Sequence, residues 1–351
     1  MDYRKLGRTD LTVSVLSLGT MTFGRQNTPE EAFEIMDRSL DAGVNLFDNA
    51  EMYPIPPAEE TRFRCEEIMG DWFAARPGAR QKVLIATKVA GRSPMTWMRS
   101  DRHEPRLKAA DINEAVDGSL KRLKTDYIDL YQVHWPDRVV PQFGSNPTVF
   151  NVPKKAEDET PIEETLDTLG KLVDAGKVRH IGVSNESTWG VMQYLRASET
   201  KGLPRIASIQ NAYSLLNRTF EVNLAEACMR EDIGLLCYSA LAQGYLTGKY
   251  RNGALPEGAR KTLFDRLQRY EGPGAEEVND MYVAMAEEAG LDPAQMALAF
   301  AMSRPFMTSV IMGATRMSQL EAVLGSVEVN LPADLLEAID TLHRSRGNVA
   351  P

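Results

Sequence analysis

What most restricts the fold of this chain is a recurrence: short runs rich in Val, Ile and Leu alternate with helical segments from residue 15 onward. The runs are VLSLG (15–19), VNLFDN (44–49), VLIATKV (83–89), YIDLYQVH (127–134), HIGVSN (180–185), ASIQN (207–211), IGLLCYS (233–239) and SVIMGA (309–314). Strands that are apolar throughout and joined by helices belong in a parallel sheet with both faces covered, because a wet face would require alternation. Eight such units in 351 residues predict an α/β fold, a closed (β/α)8 TIM barrel occupying residues 1–351 as one domain. An open doubly wound sheet fits less well, since no GxGxxG follows an early strand. The opening MDYRKLGRTDLTVSV carries two short runs around a Gly-Arg-Thr-Asp turn, which predicts an N-terminal β-hairpin that plugs the bottom of the barrel. Connections 90–110, 135–160 and 242–279 are longer than a barrel needs and read as active-site loops.

Helix starts are signalled three times. Thr28-Pro29-Glu30-Glu31, Asp111-Ile112-Asn113-Glu114 and Thr160-Pro161-Ile162-Glu163 each set a capping side chain three residues ahead of a Glu, two of them with Pro at the first helical position. In the third helix so marked, Ile162, Leu166, Leu169, Leu172 and Val173 recur at helical spacing, and Gly176 stands where a C-terminal cap belongs.

Charge and cysteine content exclude several function classes. Lys and Arg total 40 against 49 Asp and Glu, a net charge of −9, so no basic field invites nucleic acid or an anionic membrane surface. Cys65, Cys228 and Cys237 are too few and too scattered for a disulfide framework or a CxxC metal site. The chain turns polar within four residues of its start and has no run of about 18 apolar residues, so a cytoplasmic location is expected. His103, His134, His180 and His343 form neither HxH nor HExxH, which argues against metal-dependent hydrolysis; no metal is expected.

In a barrel of this kind the active site lies at the carboxyl ends of the strands. Reading only those ends gives Asp48 and Tyr53 after the second strand, Lys88 near the end of the third, and His134 closing the fourth. Singly each has a plain structural role available: a loop-anchoring Tyr, a snorkelling Lys, a packing His beside Trp135. On one rim they suit proton transfer coupled to hydride transfer. A phenol titrates near 10 unperturbed, too high for easy exchange, and a neighbouring Lys88 ammonium would lower it while Asp48 keeps the lysine charged. His134 would then polarise a carbonyl as Tyr53 delivers the proton.

The set FDNAEMY, ATKV and DLYQVHWPD, followed by GVSNES, IQNAYSLLNR and YSALAQGYLTGKY, resembles the aldo-keto reductase superfamily over essentially the whole chain. The longer stretches LKTDYIDLYQVHWPDR, GVSNESTWGVMQYL and LDPAQMALAF are similar to its bacterial Tas-type branch. The resemblance implies that Asp48, Tyr53, Lys88 and His134 are the catalytic tetrad of an NADPH-dependent reductase of small-molecule aldehydes or ketones. It further implies cofactor contacts from Gly19, Thr20 and Met21, from Ser184, Asn185 and Gln210 at the carboxamide, and from Tyr238 beneath the nicotinamide ring. Ser239, Ala240, Leu241, Gln243 and Lys249 match the pyrophosphate loop, where backbone donors and a cation are what a diphosphate needs. Gly313, Thr315 and Gln319 match the segment at the adenosine 2′-phosphate, but Ala322-Val323 replaces the Glu-Asn pair usual near the adenine. Arg316 and Arg260 are the compensating cations proposed for that phosphate.

Two other readings stand beside this one. A Schiff-base lyase would use Lys88 as nucleophile, against which Asp48 weighs by raising its pKa. A nicotinamide-binding regulatory subunit with little turnover, of the potassium-channel β kind, would retain the same tetrad. The loops offer Trp97, Arg99, Arg102 and His103, then Trp135, Phe143 and Phe150, which either line an aromatic substrate pocket with basic elements at its edge or simply pack the loops; Trp97 and Trp135 are the assigned lining. They suit small aromatic or activated carbonyls. The sequence does not determine the oligomeric state.

Overall fold

The computed structural model describes residues 1–140, 149, 155–265 and 268–350. A two-stranded antiparallel hairpin, β1 (Tyr3–Lys5) and β2 (Thr12–Ser14), precedes the barrel. The barrel strands are β3 (Leu16–Gly19), β4 (Leu46–Asp48), β5 (Leu84–Val89), β6 (Ile128–Val133), β7 (Val178–Ser184), β8 (Ile206–Ala212), β9 (Gly234–Tyr238) and β10 (Met307–Met312). All run parallel in sequence order, and β10 closes on β3. Each of the eight predicted runs supplies one strand.

Parity along these strands creates the site. Side chains two apart share a face. On the inner face Leu46, Ala86, Leu130, Ala207 and Leu236 form an apolar floor, sealed from below by Leu6, Leu11 and Val13 of the hairpin. Gly7, at φ +56°, makes this fit possible, because a Cβ there would lie 2.5 Å from the Ala207 carbonyl oxygen. One inward step up from the floor, β4, β5 and β6 present Asp48, Lys88 and Gln132. Outward-facing Phe47, Ile85, Ile181 and Ile209 instead join the larger core beneath the helices, where each fully buried side chain contributes about 1.5–3 kcal/mol.

Outside lie α1 (Pro29–Asp41), α2 (Arg64–Ala75), α3 (Ala109–Leu123), α4 (Ile162–Asp174), α5 (Thr188–Lys201), α6 (Leu224–Arg230), α7 (Arg260–Phe264), α8 (Ala275–Glu288), α9 (Pro293–Met302), α10 (Met317–Leu324) and α11 (Ala333–Arg346). The capping box at Thr28 forms as expected: its hydroxyl accepts from the Glu31 amide, and Glu31 reaches back to the Thr28 amide. The other two boxes do not form. Helix α3 begins at Ala109 behind Lys108, so Asp111 lies inside its first turn, and α4 begins at Ile162 behind Pro161. Gly176, at φ +72°, does terminate α4, its amide bonding the Val173 carbonyl. Among the described residues no helix is long and apolar enough to cross a membrane.

Candidate active site

Asp48 is the last residue of β4, and Lys88 is the penultimate residue of β5. The Lys88 ammonium is fully buried and donates to Asp48 Oδ2 at 2.8 Å and to the Asn49 carbonyl at 2.6 Å. Asp48 Oδ1 accepts from Gln210 Nε2 at 2.8 Å, with Gln132 Nε2 at 3.5 Å. The carboxylate is therefore held on both oxygens by groups from three other strands, β5, β6 and β8. Gln132, fully buried, was not among the sequence candidates; its signal was a polar residue on the inner face of an otherwise apolar strand, two positions before His134.

Tyr53 lies above this pair. Lys88 Nζ is 5.1 Å from the centre of its ring, and the His134 ring meets it edge-on at 5.6 Å between centroids. Trp135 packs on the far side of His134 at 4.8 Å and donates its indole N–H to the Arg92 carbonyl. The four tetrad candidates are thus brought together.

The electrostatics differ from the sequence expectation in two respects. Burial, reinforced by the Asp48 charge, holds the Tyr53 phenol well above its ordinary value; the opposing cation is Arg260, not Lys88. Burial also lowers Lys88, and Asp48 only partly restores it. Burial and the Lys88 charge push His134 well below 6.5, so its imidazole is neutral at physiological pH.

The nicotinamide-end candidates form one hydrogen-bonded chain. The Tyr238 hydroxyl donates to Asn185 Oδ1 at 2.6 Å, Asn185 Nδ2 donates to the His134 carbonyl at 2.9 Å, and Ser184 Oγ donates to the Gln210 carbonyl at 2.7 Å. At the other end of the series, Gly19, Thr20 and Met21 cross the tip of β3, where the Thr20 hydroxyl donates to the Asp48 carbonyl. After β9 the backbone takes the left-handed region at Ser239, Ala242, Gln243 and Gly244, the kind of turn that directs amides into a concavity. A Cβ on Gly244 would lie 2.6 Å from Lys249 Cε, so glycine is what lets the lysine lie against this loop. Ala240 is buried and Leu241 half-buried in the same turn.

Gln319 accepts from both the amide and the hydroxyl of Thr315, shaping the turn that follows Gly313. Arg316 donates to the Glu257 carbonyl at 3.2 Å, and its guanidinium fills the space a Cβ on Gly258 would take. Arg260, two residues on, is close enough to depress Lys249 as well as to act on Tyr53.

The loop residues assigned to the pocket edge are already partnered. Arg99 is buried between Glu51 and Asp111, Arg102 pairs with Glu59, and His103 contacts Asp101 and Asp111. Trp97 faces a cavity of about 320 Å³ shared with Arg62, Phe63 and Arg122, on the α2–α3 side of the barrel. Phe143 and Phe150 lie outside the described residues. Among the described residues no group of three or more His, Cys, Asp or Glu is placed to hold a metal ion.

A sequence model described as the Aldo/keto reductase family matches residues 15–344. "Protein tas" of Escherichia coli K12 is 47% identical over 354 residues, covering 100% of both chains. An uncharacterized oxidoreductase, YrpG of Bacillus subtilis, is 32% identical over 353 residues, covering 100% of this chain and 98% of its own. A probable voltage-gated potassium channel subunit beta of Arabidopsis thaliana is 32% identical over 338 residues, covering 94% of this chain and 92% of its own. With the family pattern spanning nearly the whole barrel and full-length relatives at this identity, the chain belongs to the aldo/keto reductase family.

Proposed function

We propose that the protein is an NADPH-dependent reductase of small aldehydes or ketones, in which Tyr53 supplies the proton. The observation that carries this reading is the stack of a buried Lys88–Asp48 pair, the Tyr53 ring 5.1 Å above the ammonium, and a neutral imidazole at the ring edge. When bound, the reduced nicotinamide supplies a hydride to the carbonyl carbon. The Tyr53 phenol, kept protonated by burial, gives its proton to the carbonyl oxygen, so that no free alkoxide accumulates and the negative charge passes to the phenolate. Neutral His134 orients that oxygen by hydrogen bonding, and Arg260 stabilises the phenolate left behind.

Ser184, Asn185 and Gln210 would hold the carboxamide and Tyr238 the ring, the Ser239–Gln243 turn with Lys249 the pyrophosphate, and Thr315, Gln319, Arg316 and Arg260 the 2′-phosphate. The strained turn and the Gly244–Lys249 approach support the pyrophosphate part of that assignment. A Schiff-base role for Lys88 is disfavoured by its complete burial and its two hydrogen bonds.

Titration with NADPH and NADH, followed by fluorescence, and then addition of aldehydes and ketones tests the proposal. Nucleotide oxidation on adding a carbonyl supports it. Tyr53→Phe should keep nucleotide binding and lose turnover by roughly 10²–10⁴-fold; full activity in that variant would remove Tyr53 as donor. The likeness to the potassium-channel relative favours a second reading, a nucleotide-binding subunit. Tight binding with no turnover across the panel would select it.

A further inference from the structure

The loop that carries Tyr53 is anchored on its barrel side by Lys88 at the Asn49 carbonyl, and it is also held from behind. Backbone bonds fix Asn49 to the Ala86 carbonyl and Glu51 to the Lys88 carbonyl, and the Tyr53 amide bonds back to Ala50. The Glu51 carboxylate, 1% exposed, turns away from the barrel mouth. Its Oε1 accepts from the Ala90 amide at 2.8 Å and from Arg99 Nη2 at 3.1 Å, and its Oε2 accepts from Arg99 Nη1 at 2.9 Å. Arg99, fully buried, then donates Nε to Asp111 Oδ1 at 3.1 Å in the first turn of α3. The other Asp111 oxygen accepts from the Arg106 amide, closing the loop between β5 and α3.

We propose that Arg99 is a positioning residue for the reaction: through its two-pronged contact with Glu51 it locks residues 49–53, and hence the Tyr53 phenol, to the β5–α3 loop. This rests on the assignment of Tyr53 as proton donor. The geometry gives a reason why the lock matters. A cavity of about 320 Å³ opens directly behind the pair, lined by both Glu51 and Arg99 together with Trp97, Ser100 and Arg102. Without Arg99, the Glu51 carboxylate has room to turn toward water, and nothing else described at its side chain resists that beyond the Ala90 amide. Displacing a proton donor by about 1 Å can cost on the order of 100-fold in rate. Apart from Gly19, Thr20 and Met21 at the tip of β3, the nucleotide candidates lie on β7 to β10 and their loops, on other elements, so the lock acts mainly on the chemical step rather than on cofactor binding.

The test compares wild type, Arg99→Lys, Arg99→Gln and Glu51→Gln. Arg99→Lys keeps the charge but not the planar fork. Glu51→Gln keeps size and an acceptor for the Ala90 amide, which preserves folding should Arg99→Gln fail to fold. Two readouts are taken: amide hydrogen exchange of residues 49–55, and NADPH oxidation with 4-nitrobenzaldehyde, with the NADPH dissociation constant measured separately. The proposal expects at least about 10-fold faster exchange at 49–55 with strands β7–β9 unchanged. It also expects kcat lower by roughly 10- to 100-fold with NADPH affinity within about twofold, the Lys variant falling between. Folded variants with wild-type exchange at 49–55 would overturn it, as would an unchanged kcat. If wild type itself oxidises no NADPH, the reductase reading fails, while the exchange arm still decides whether Arg99 holds this loop.

Discussion

Replacing Lys88 by Met is the sharpest test of how the site is held. Met is close to Lys in length and volume, so the substitution removes the ammonium without opening a large void. What it strands is visible: Asp48 Oδ2 and the Asn49 carbonyl, both buried, lose a donor at 2.8 and 2.6 Å. Removing one member of a buried pair typically costs about 3–5 kcal/mol, most of it the desolvated charge left behind. Gln210 and Gln132 still serve Oδ1, which places the expectation near the lower end, ~3–4 kcal/mol. At roughly 2.1 cal/mol/K of unfolding entropy per residue, 351 residues give about 0.74 kcal/mol/K, so the melting temperature should fall by about 4–5 °C. The double variant Asp48→Asn/Lys88→Met removes the stranded charge and should recover part of the loss, a coupling of at least about 1.5 kcal/mol. The assay is calorimetry on the two single variants, the double variant and wild type. A Lys88→Met protein melting within about 1 °C of wild type, or a double variant equal to the sum of its parts, would refute the claim that the pair is held by mutual burial.

Three further outcomes are expected. Arg316→Ala with Arg260→Ala should weaken NADPH more than NADH in a fluorescence titration, since a 2′-phosphate is what distinguishes them; equal losses would discard the phosphate role. For His134 the folded pKa is depressed, so its contribution is present above pH 6.5 and is lost as pH falls toward the folded value. Stability should therefore decline by about 1.4 kcal/mol per pH unit on that limb from this group, a component that His134→Gln abolishes when melts at pH 7.5 and 5.5 are compared. His103 is the opposite case, raised by Asp101 and Asp111. Its stabilisation is full below pH 6.5 and disappears as pH rises through the folded value. His103→Gln should thus lower stability slightly at pH 6, by well under about 1 kcal/mol for so exposed a group, and leave the melting temperature unchanged at pH 9.

The barrel and the gathering of the inward polar layer at its mouth were legible because both depend on parity, which a sequence displays. Leu46 and Asp48, Ala86 and Lys88, Leu130 and Gln132 are each two apart, so an apolar floor implies that the next inward residues form a layer. The direction of the Tyr53 shift was not legible. Proximity to Lys88 suggested a lowered phenol, but the penalty for burying a phenolate exceeds the benefit of an ammonium already neutralised by Asp48. Whether a lysine acts as a free cation depends on its partner's distance, and only coordinates give that.

The loop between β5 and α3 hides its pairings from the sequence for a related reason. Asp111 three residues before Glu114 satisfies the local pattern of a helix cap, as Thr28 before Glu31 does, yet only Thr28 caps. Thr28 has no competing tertiary donor among its described hydrogen bonds, so its hydroxyl serves the helix. Asp111 is claimed by Arg99 and His103 on one oxygen and by the Arg106 amide on the other. Those charge-assisted bonds outweigh the roughly 1 kcal/mol of a cap. The helix accordingly starts earlier, at Ala109, behind a lysine that caps nothing with its side chain. The same competition turned Arg99, Arg102 and His103 from expected pocket cations into partners of carboxylates. A basic residue in a long active-site loop is therefore a substrate contact only where no acid from a neighbouring element reaches it first, and at residues 99–103 Glu51, Glu59, Asp101 and Asp111 all do.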